Sequence, residues 1–263
     1  MAGSIEHDAP REGIPAATVV IFRHAPDGGA PQILMQVRSR SLAFAGGMAV
    51  FPGGRVDQSD RELARSSAPS DPDMDEAAHR IAAIRETLEE TGLVLGLRGE
   101  IDAEKAAAAR KLLLERERLD AVLDRFGWTL ALEDLVPFAR WFPQNEKLSR
   151  VFDTRFYLAD LGTGAVEIEV DAQENTRLFW ASAAEAMAAA ERGEIELIFP
   201  TIRNLERLAR FGDFAEARAH ADATPVRTII PFVEDTPEGR RLCIQGDCGY
   251  PVTSVLLGEA KRG

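Results

Sequence analysis

The apolar positions change their period several times along the chain, and each change marks an element. Residues 17–23 (ATVVIFR) and 32–38 (QILMQVR) are short runs rich in β-branched and bulky side chains. The intervening HAPDGGAP is made of turn formers, so the pair predicts a hairpin or neighbouring strands. A third run, MAVFPGG at 48–54, ends in a proline and two glycines that let the backbone turn sharply. Residues 61–76 (RELARSSAPSDPDMDE) are polar and predict a surface excursion. It leads into a helix start, at Asp71–Pro72 or at Asp73 with Glu76 three residues on. From there the period is helical. At 100° per residue Ala77, Ile81, Ile84 and Leu88 fall in a stripe about 60° wide, and Gly92 suits the position just past the helix end.

Residues 103–126 repeat the amphipathic pattern with Leu112, Leu119, Val122 and Phe126 on the apolar side, and predict one long helix closed by Gly127. Its ERER run is most simply a solvated face; the alternative is a lid or a homodimer contact. Strands are predicted at 135–142, 151–158 and 176–180, where Phe152, Phe156 and Tyr157 read as core rather than as a base-stacking platform. Ser182 and Glu185 form a capping box for a helix ending near Gly193, and 201–211 gives another helix. Residues after 222 carry no pattern that predicts an element. With no internal repeat and no low-complexity linker, one domain over 1–263 with insertions is the economical division.

Composition narrows the chemistry. A 45% hydrophobic and 28% charged chain is ordinary for a globular protein with a substantial core. No run of eighteen apolar residues and no apolar signal core near the N-terminus leave a cytoplasmic protein as the expectation, with no membrane partner. Cys243, Cys248 and the four histidines lack the spacing of a structural zinc site, so the cysteines read as plain thiols. A net charge of −12 argues against nucleic-acid binding. A small polyanionic substrate is compatible with that charge only where a cation is recruited locally.

The segment AAIRETLEETGLVL at 82–95 supplies a reason to recruit one. Glu86, Glu89 and Glu90 crowd the last turns of the predicted helix, on an arc opposite the apolar stripe, where the helix dipole disfavours anions. Glu86 and Glu90 are like charges four residues apart, and Arg85 precedes Glu89 in the poorer ion-pair orientation. A hard divalent cation reverses these unfavourable terms by drawing carboxylates together, with waters and substrate phosphates completing its shell.

These residues resemble the Nudix box: glycine, five residues, glutamate, seven residues, then REUXEEXGU with U a bulky apolar residue. RETLEETGL at 85–93 fits, with Thr87 in the first apolar place. Gly54 fits the opening glycine, Asp60 stands where the first glutamate is expected, and residues 61–84 replace the seven-residue spacer. An interruption there resembles the insert-bearing branch that includes peroxisomal coenzyme A diphosphatases. RSRSLAFAGGMAVFPGG at 38–54 is similar to the coenzyme A signature RSxxLxxHxGQVAFPGG. It matches at Arg38, Ser39, Leu42, Gly47, Phe51, Pro52, Gly53 and Gly54, and departs at Ala45 and Met48.

The resemblance implies an α/β Nudix fold over roughly 15–212, a mixed sheet sandwiched between helices in an α/β/α arrangement. An insert in the box would then lie at about 61–76 and a helical insertion at about 100–130, with a tail at 222–263. It implies Mg²⁺-dependent (or Mn²⁺-dependent) hydrolysis of a diphosphate linkage in a small nucleotide. Glu86, Glu89 and Glu90 would be metal ligands, one of them activating water, and Arg85 would orient a box glutamate. Glu174, six residues before Trp180, would be a further ligand. Arg38 and Arg40 would meet substrate phosphate, while Gly53 and Gly54 would let the loop approach the metal. The roles of Asp60 and Asp75 are left open. Coenzyme A or an acyl-CoA is the expected substrate; the alternatives are an ADP-ribose or NADH-type dinucleotide, or nucleotide sensing without turnover.

Overall fold

The computed structural model describes residues 12–40, 45–67, 73–144, 150–161 and 175–260. The elements run β1 (Ile14–Arg23), β2 (Gln32–Arg38), β3 (Ala49–Val50), β4 (Gly53–Arg55), α1 (Gln58–Ser67) and α2 (Met74–Thr91). Next come β5 (Leu97–Arg98), α3 (Ala103–Arg116), α4 (Leu119–Phe126), β6 (Thr129–Leu130), β7 (Val136–Trp141), β8 (Phe152–Asp160) and β9 (Asn175–Ala181). The chain closes with α5 (Ala183–Glu191), α6 (Phe199–Leu208), α7 (Phe214–Ala223), β10 (Thr228–Ile229), β11 (Phe232–Thr236), β12 (Gly239–Cys243) and β13 (Ser254–Leu256).

The main sheet is mixed, in the order β10-β7-β8-β1-β2-β3, with β4 also paired to β1 and β9 to β2. At its centre β1 runs parallel to β8, from Ile14 opposite Phe152 to Phe22 opposite Asp160. Strand β1 is apolar from Val19 to Phe22 because it is covered there on both faces. Val19 and Ile21 belong to one hydrophobic cluster and Val20 and Phe22 to another, as the two-residue period requires. The first face is packed by α1, α2, α3 and α4, the second by α5, α6 and α7. The architecture is therefore the expected α/β/α sandwich.

Helix α2 begins where Asp73 accepts a hydrogen bond from the Glu76 amide and ends at Gly92 in the left-handed conformation, φ 75°. Its stripe of Ala77, Ile81, Ile84 and Leu88 is buried against the sheet. Ala78, Ala82, Ala83 and Thr87 are buried as well, so the helix is enclosed rather than amphipathic.

Three expectations are corrected. Residues 61–67 are not a polar excursion: they are most of α1, whose Asp60, Leu63 and Ala64 are buried. The long helix at 103–126 is two, because Glu117 takes a left-handed φ of 54° and turns the chain between α3 and α4. The tail is also structured. Its β10 lies parallel to β7 in the main sheet, and β11, β12 and β13 form a second antiparallel sheet. Tyr250 fastens it, accepting from Trp141 Nε1 at 3.0 Å and donating to Asn204 Oδ1 at 2.7 Å. Cys243 and Cys248 are buried free thiols in this tail. No helix among the described residues is long and apolar enough to cross a membrane.

Candidate active site

The last turns of α2 lie beneath the turn at Gly53–Gly54, and the glycines are what permit the approach. A Cβ on Gly54 would stand 2.2 Å from Glu86 Oε1; one on Gly53 would stand 2.2 Å from the Ala17 carbonyl oxygen. Gly53 also has φ 152°, a conformation that side chains disfavour. Its amide donates to Glu90 Oε2 at 2.8 Å, and the same oxygen accepts from Gln36 Nε2 at 2.8 Å. Glu90 is thus 2% exposed, and the acidic arc faces the protein rather than open water.

Arg85 organises the other two acids. Its Nη1 donates to Glu86 Oε1 at 3.0 Å and to Glu89 Oε2 at 2.9 Å. On the opposite side Nε and Nη2 grip both oxygens of Asp60 at 3.0 Å, and Nη2 also meets the Arg55 carbonyl. Burial disfavours this guanidinium, but Asp60, Glu86 and Glu89 outweigh that and hold it firmly protonated. Asp60, whose part was open, is therefore the buried anchor of Arg85. Asp75 sits in the first turn of α2, about 16 Å along the helix from Glu86, where it pairs with Arg61 and Arg155. It does not join the glutamates.

The electrostatics leave the cluster with negative charge in excess. Burial pushes Glu86 up to about 8; Glu90 and Glu89 push the same way and Arg85 pulls back. Glu89 is raised too, first by burial, against the pull of Arg85. Among the described residues no group of three or more His, Cys, Asp or Glu side chains is already placed to hold a metal ion. A partial set of hard carboxylate oxygens with unneutralised charge nevertheless fits a hard divalent cation, which fills its shell with water and phosphate oxygens. Glu174 and Leu42 lie outside the described residues.

Beyond Gln36 the same strand leads to a cleft of about 440 Å³ lined by Arg38, Ser39, Arg40, Gly47, Thr176 and Glu194. Arg38 begins two positions past Gln36, about 7 Å of strand. Its backbone is clasped by the loop: the Arg38 amide donates to the Met48 carbonyl and the Gly47 amide donates to the Arg38 carbonyl, both at 3.0 Å. The Arg38 Nε is buried without a hydrogen-bond partner among the described residues. The structure therefore gathers Arg85, Glu86, Glu89, Glu90, Gly53 and Gly54 in one place, while Arg38 and Arg40 line a separate cleft at the end of the strand that carries Gln36. Gln36 was missed in the sequence; a polar residue on the α2-facing side of an otherwise apolar strand was its signal.

This fold and this glycine-roofed acidic helix end are those of the Nudix hydrolase superfamily, which the chain resembles in sequence and in structure, and the likeness supports a hydrolase of diphosphate bonds. Members of that superfamily generally use divalent metal ions. Within it the chain is similar to the acyl-coenzyme A diphosphatase NUDT19 of Gallus gallus. The two are 26% identical over an alignment of 309 positions covering 94% of this chain and 82% of that protein. It is also similar to the crystal structure of a NUDIX hydrolase from Alicyclobacillus acidocaldarius. That match has a TM-score of 0.67 and 26% identity, covering 80% of this chain and 97% of the other. No family model matches the chain.

Proposed function

We propose that the chain is a divalent-metal-dependent diphosphatase of coenzyme A or acyl-CoA, releasing adenosine 3′,5′-bisphosphate and the phosphopantetheine portion. The observation that carries this reading is that one strand, β2, both contacts the acidic end of α2 through Gln36 and runs out into the arginine-lined cleft of the coenzyme A-like segment. Similarity to an acyl-CoA diphosphatase over 94% of the chain supports it.

In this reading Glu86, Glu89 and Glu90 hold Mg²⁺ or Mn²⁺, with Glu174 as a further ligand. The bound ion supplies neutralisation of the charge that builds on the phosphate oxygens in an in-line displacement. Arg38 and Arg40 bind phosphate and orient the substrate, since guanidinium donors match phosphate oxygens. Arg85 holds Glu86 and Glu89 at fixed positions through its own grip on Asp60. A carboxylate of the cluster takes the proton of the attacking water as its oxygen bonds to phosphorus and the bridging P–O bond breaks. The substrate is a small molecule; the net charge of −12 supports the absence of a nucleic-acid or anionic-membrane partner.

The test is product analysis by chromatography with coenzyme A, acetyl-CoA, ADP-ribose, NADH and a diadenosine polyphosphate, each with Mg²⁺ and with EDTA, beside Glu89→Gln. Adenosine 3′,5′-bisphosphate formed only with metal, and lost in the variant, is the expected result. Turnover confined to ADP-ribose or NADH overturns the coenzyme A assignment, and turnover undiminished in EDTA overturns the metal role.

A further inference from the structure

We propose that Gln36 is a positioning residue for the metal-binding carboxylate of Glu90. The residue is fully buried on β2, on the face that carries Leu34 into the α2 side of the core, where its neighbours are apolar. Its Nε2 donates to Glu90 Oε2, while its Oε1 is buried with no hydrogen-bond partner among the described residues. A half-satisfied amide in a core is unfavourable, because its unmatched oxygen gives up the hydrogen bonds it would make to water. A leucine or methionine would fill the same space without it. The position therefore keeps a polar group whose return comes from the hydrogen bond it makes.

That bond has a specific consequence. Two neutral donors, the Gln36 amide and the Gly53 backbone amide, converge on the same oxygen of Glu90. Oε2 is held from the sheet side and from the glycine turn, which sets the rotation of the carboxylate about its last bond. The other oxygen, Oε1, is then fixed in orientation relative to Glu86, whose charge Glu90 senses. A neutral amide does this without adding a cation that would compete for the site. A lysine or arginine at the same place would neutralise Glu90, and a leucine would remove the donor on the sheet side. Groups that orient a metal ligand in this way typically change metal affinity or activity by about 10–100-fold when removed.

The inference rests on Glu90 being a metal ligand, and the experiment separates the two ideas. Mn²⁺ is titrated into the substrate-free protein and the free ion is followed by electron paramagnetic resonance, for wild type, Gln36→Leu, Gln36→Met and Glu90→Gln. Circular dichroism and thermal melts check that each variant folds. The expected result is native-like melts for both Gln36 variants, a Mn²⁺ midpoint raised at least about 10-fold in each, and kcat lowered with KM changed by less than about twofold. Weak binding by Glu90→Gln beside wild-type midpoints for Gln36→Leu and Gln36→Met overturns the role of Gln36 and leaves the metal reading standing. A wild-type midpoint for Glu90→Gln overturns the ligand assignment, and the Gln36 proposal with it. Should Gln36→Leu fail to fold, Gln36→Met, with its flexible unbranched chain, decides alone.

Discussion

Replacing Gly54 by alanine places a methyl group on the acidic cluster and nowhere else of consequence. The new Cβ would lie 2.2 Å from Glu86 Oε1, 2.3 Å from its Cδ and 2.7 Å from Oε2. Cβ contacts essentially never fall under 3.0 Å, so Oε1 has to withdraw by about 0.8 Å. The atom that yields is the end of a side chain, and Gly54 has no left-handed φ, so the fold should tolerate the change. A misplacement of about 1 Å at a reacting centre lowers activity by roughly 100-fold, equivalent to about 2.7 kcal/mol of barrier. Gly53→Ala is the matched contrast. There the Cβ would stand 2.2 Å from the Ala17 carbonyl oxygen and 2.7 Å from Thr18 Cα, backbone atoms that cannot swing aside, at φ 152°. Strain and overpacking of about 1–3 kcal/mol each should show as lost stability. Urea denaturation and metal-dependent turnover on the substrate found by product analysis read the two effects separately. Gly54→Ala with kcat/KM within about threefold of wild type, or as unstable as Gly53→Ala, would refute the reasoning.

Asp60→Ala leaves the buried Arg85 guanidinium without its two-pronged partner and should destabilise the fold by about 3–5 kcal/mol in urea; a loss under about 1 kcal/mol would show that Arg85 is held by the glutamates alone. Without metal, the protein should lose stability as pH rises. The Glu86 carboxyl is raised from an ordinary 4.5 to about 8, so the folded state binds the proton more tightly; this favours folding below about 4.5 and fades as pH passes about 8. Thermal melts from pH 5 to pH 9 in EDTA should fall across that interval, and Mg²⁺ should restore the melting temperature most at the alkaline end. Parallel curves with and without Mg²⁺ would contradict this.

Elements whose signals are local were legible in the chain. The start of α2 is an aspartate whose carboxylate accepts the amide three residues on, its end is a glycine in the left-handed region, and α5 opens with the reciprocal bonds between Ser182 and Glu185. Each is written within four residues. The break between α3 and α4 was not, because a non-glycine residue, Glu117, adopts the left-handed conformation there and the amphipathic period runs on across it. The tail was not legible either: FVEDTPEGRRLC forms two polar-rich strands around a Pro-Glu-Gly turn, with Phe232 opposite Cys243 and Thr236 opposite Gly239. Its exposed positions lack the apolar alternation that marks a half-buried strand. The anchoring of Arg85 by Asp60 joins residues 25 apart across the insert and exists only once α1 packs on α2.

The glutamates at the C-terminus of α2 pose a smaller electrostatic problem as helix-end charges than as buried ones. An anion in the last turn costs about 0.3–1 kcal/mol, less than one charge-assisted hydrogen bond, at roughly 1.5–3 kcal/mol, returns. The fold supplies such bonds to all three: Arg85 to Glu86 and Glu89, Gln36 and Gly53 to Glu90. Asp60, just ahead of the first insertion, fixes the position of Arg85. The second supplies Arg110, buried on α3, whose Nε donates to the Glu89 carbonyl at the negative end of the helix. What these partners do not answer is the burial of Glu86, which stays raised in spite of Arg85. What remains unmet is therefore the burial of that charge, with repulsion from Glu90 and Glu89 added to it, rather than the helix dipole. A divalent ion, which places two positive charges among the carboxylates without adding a side chain, is the kind of partner that meets it.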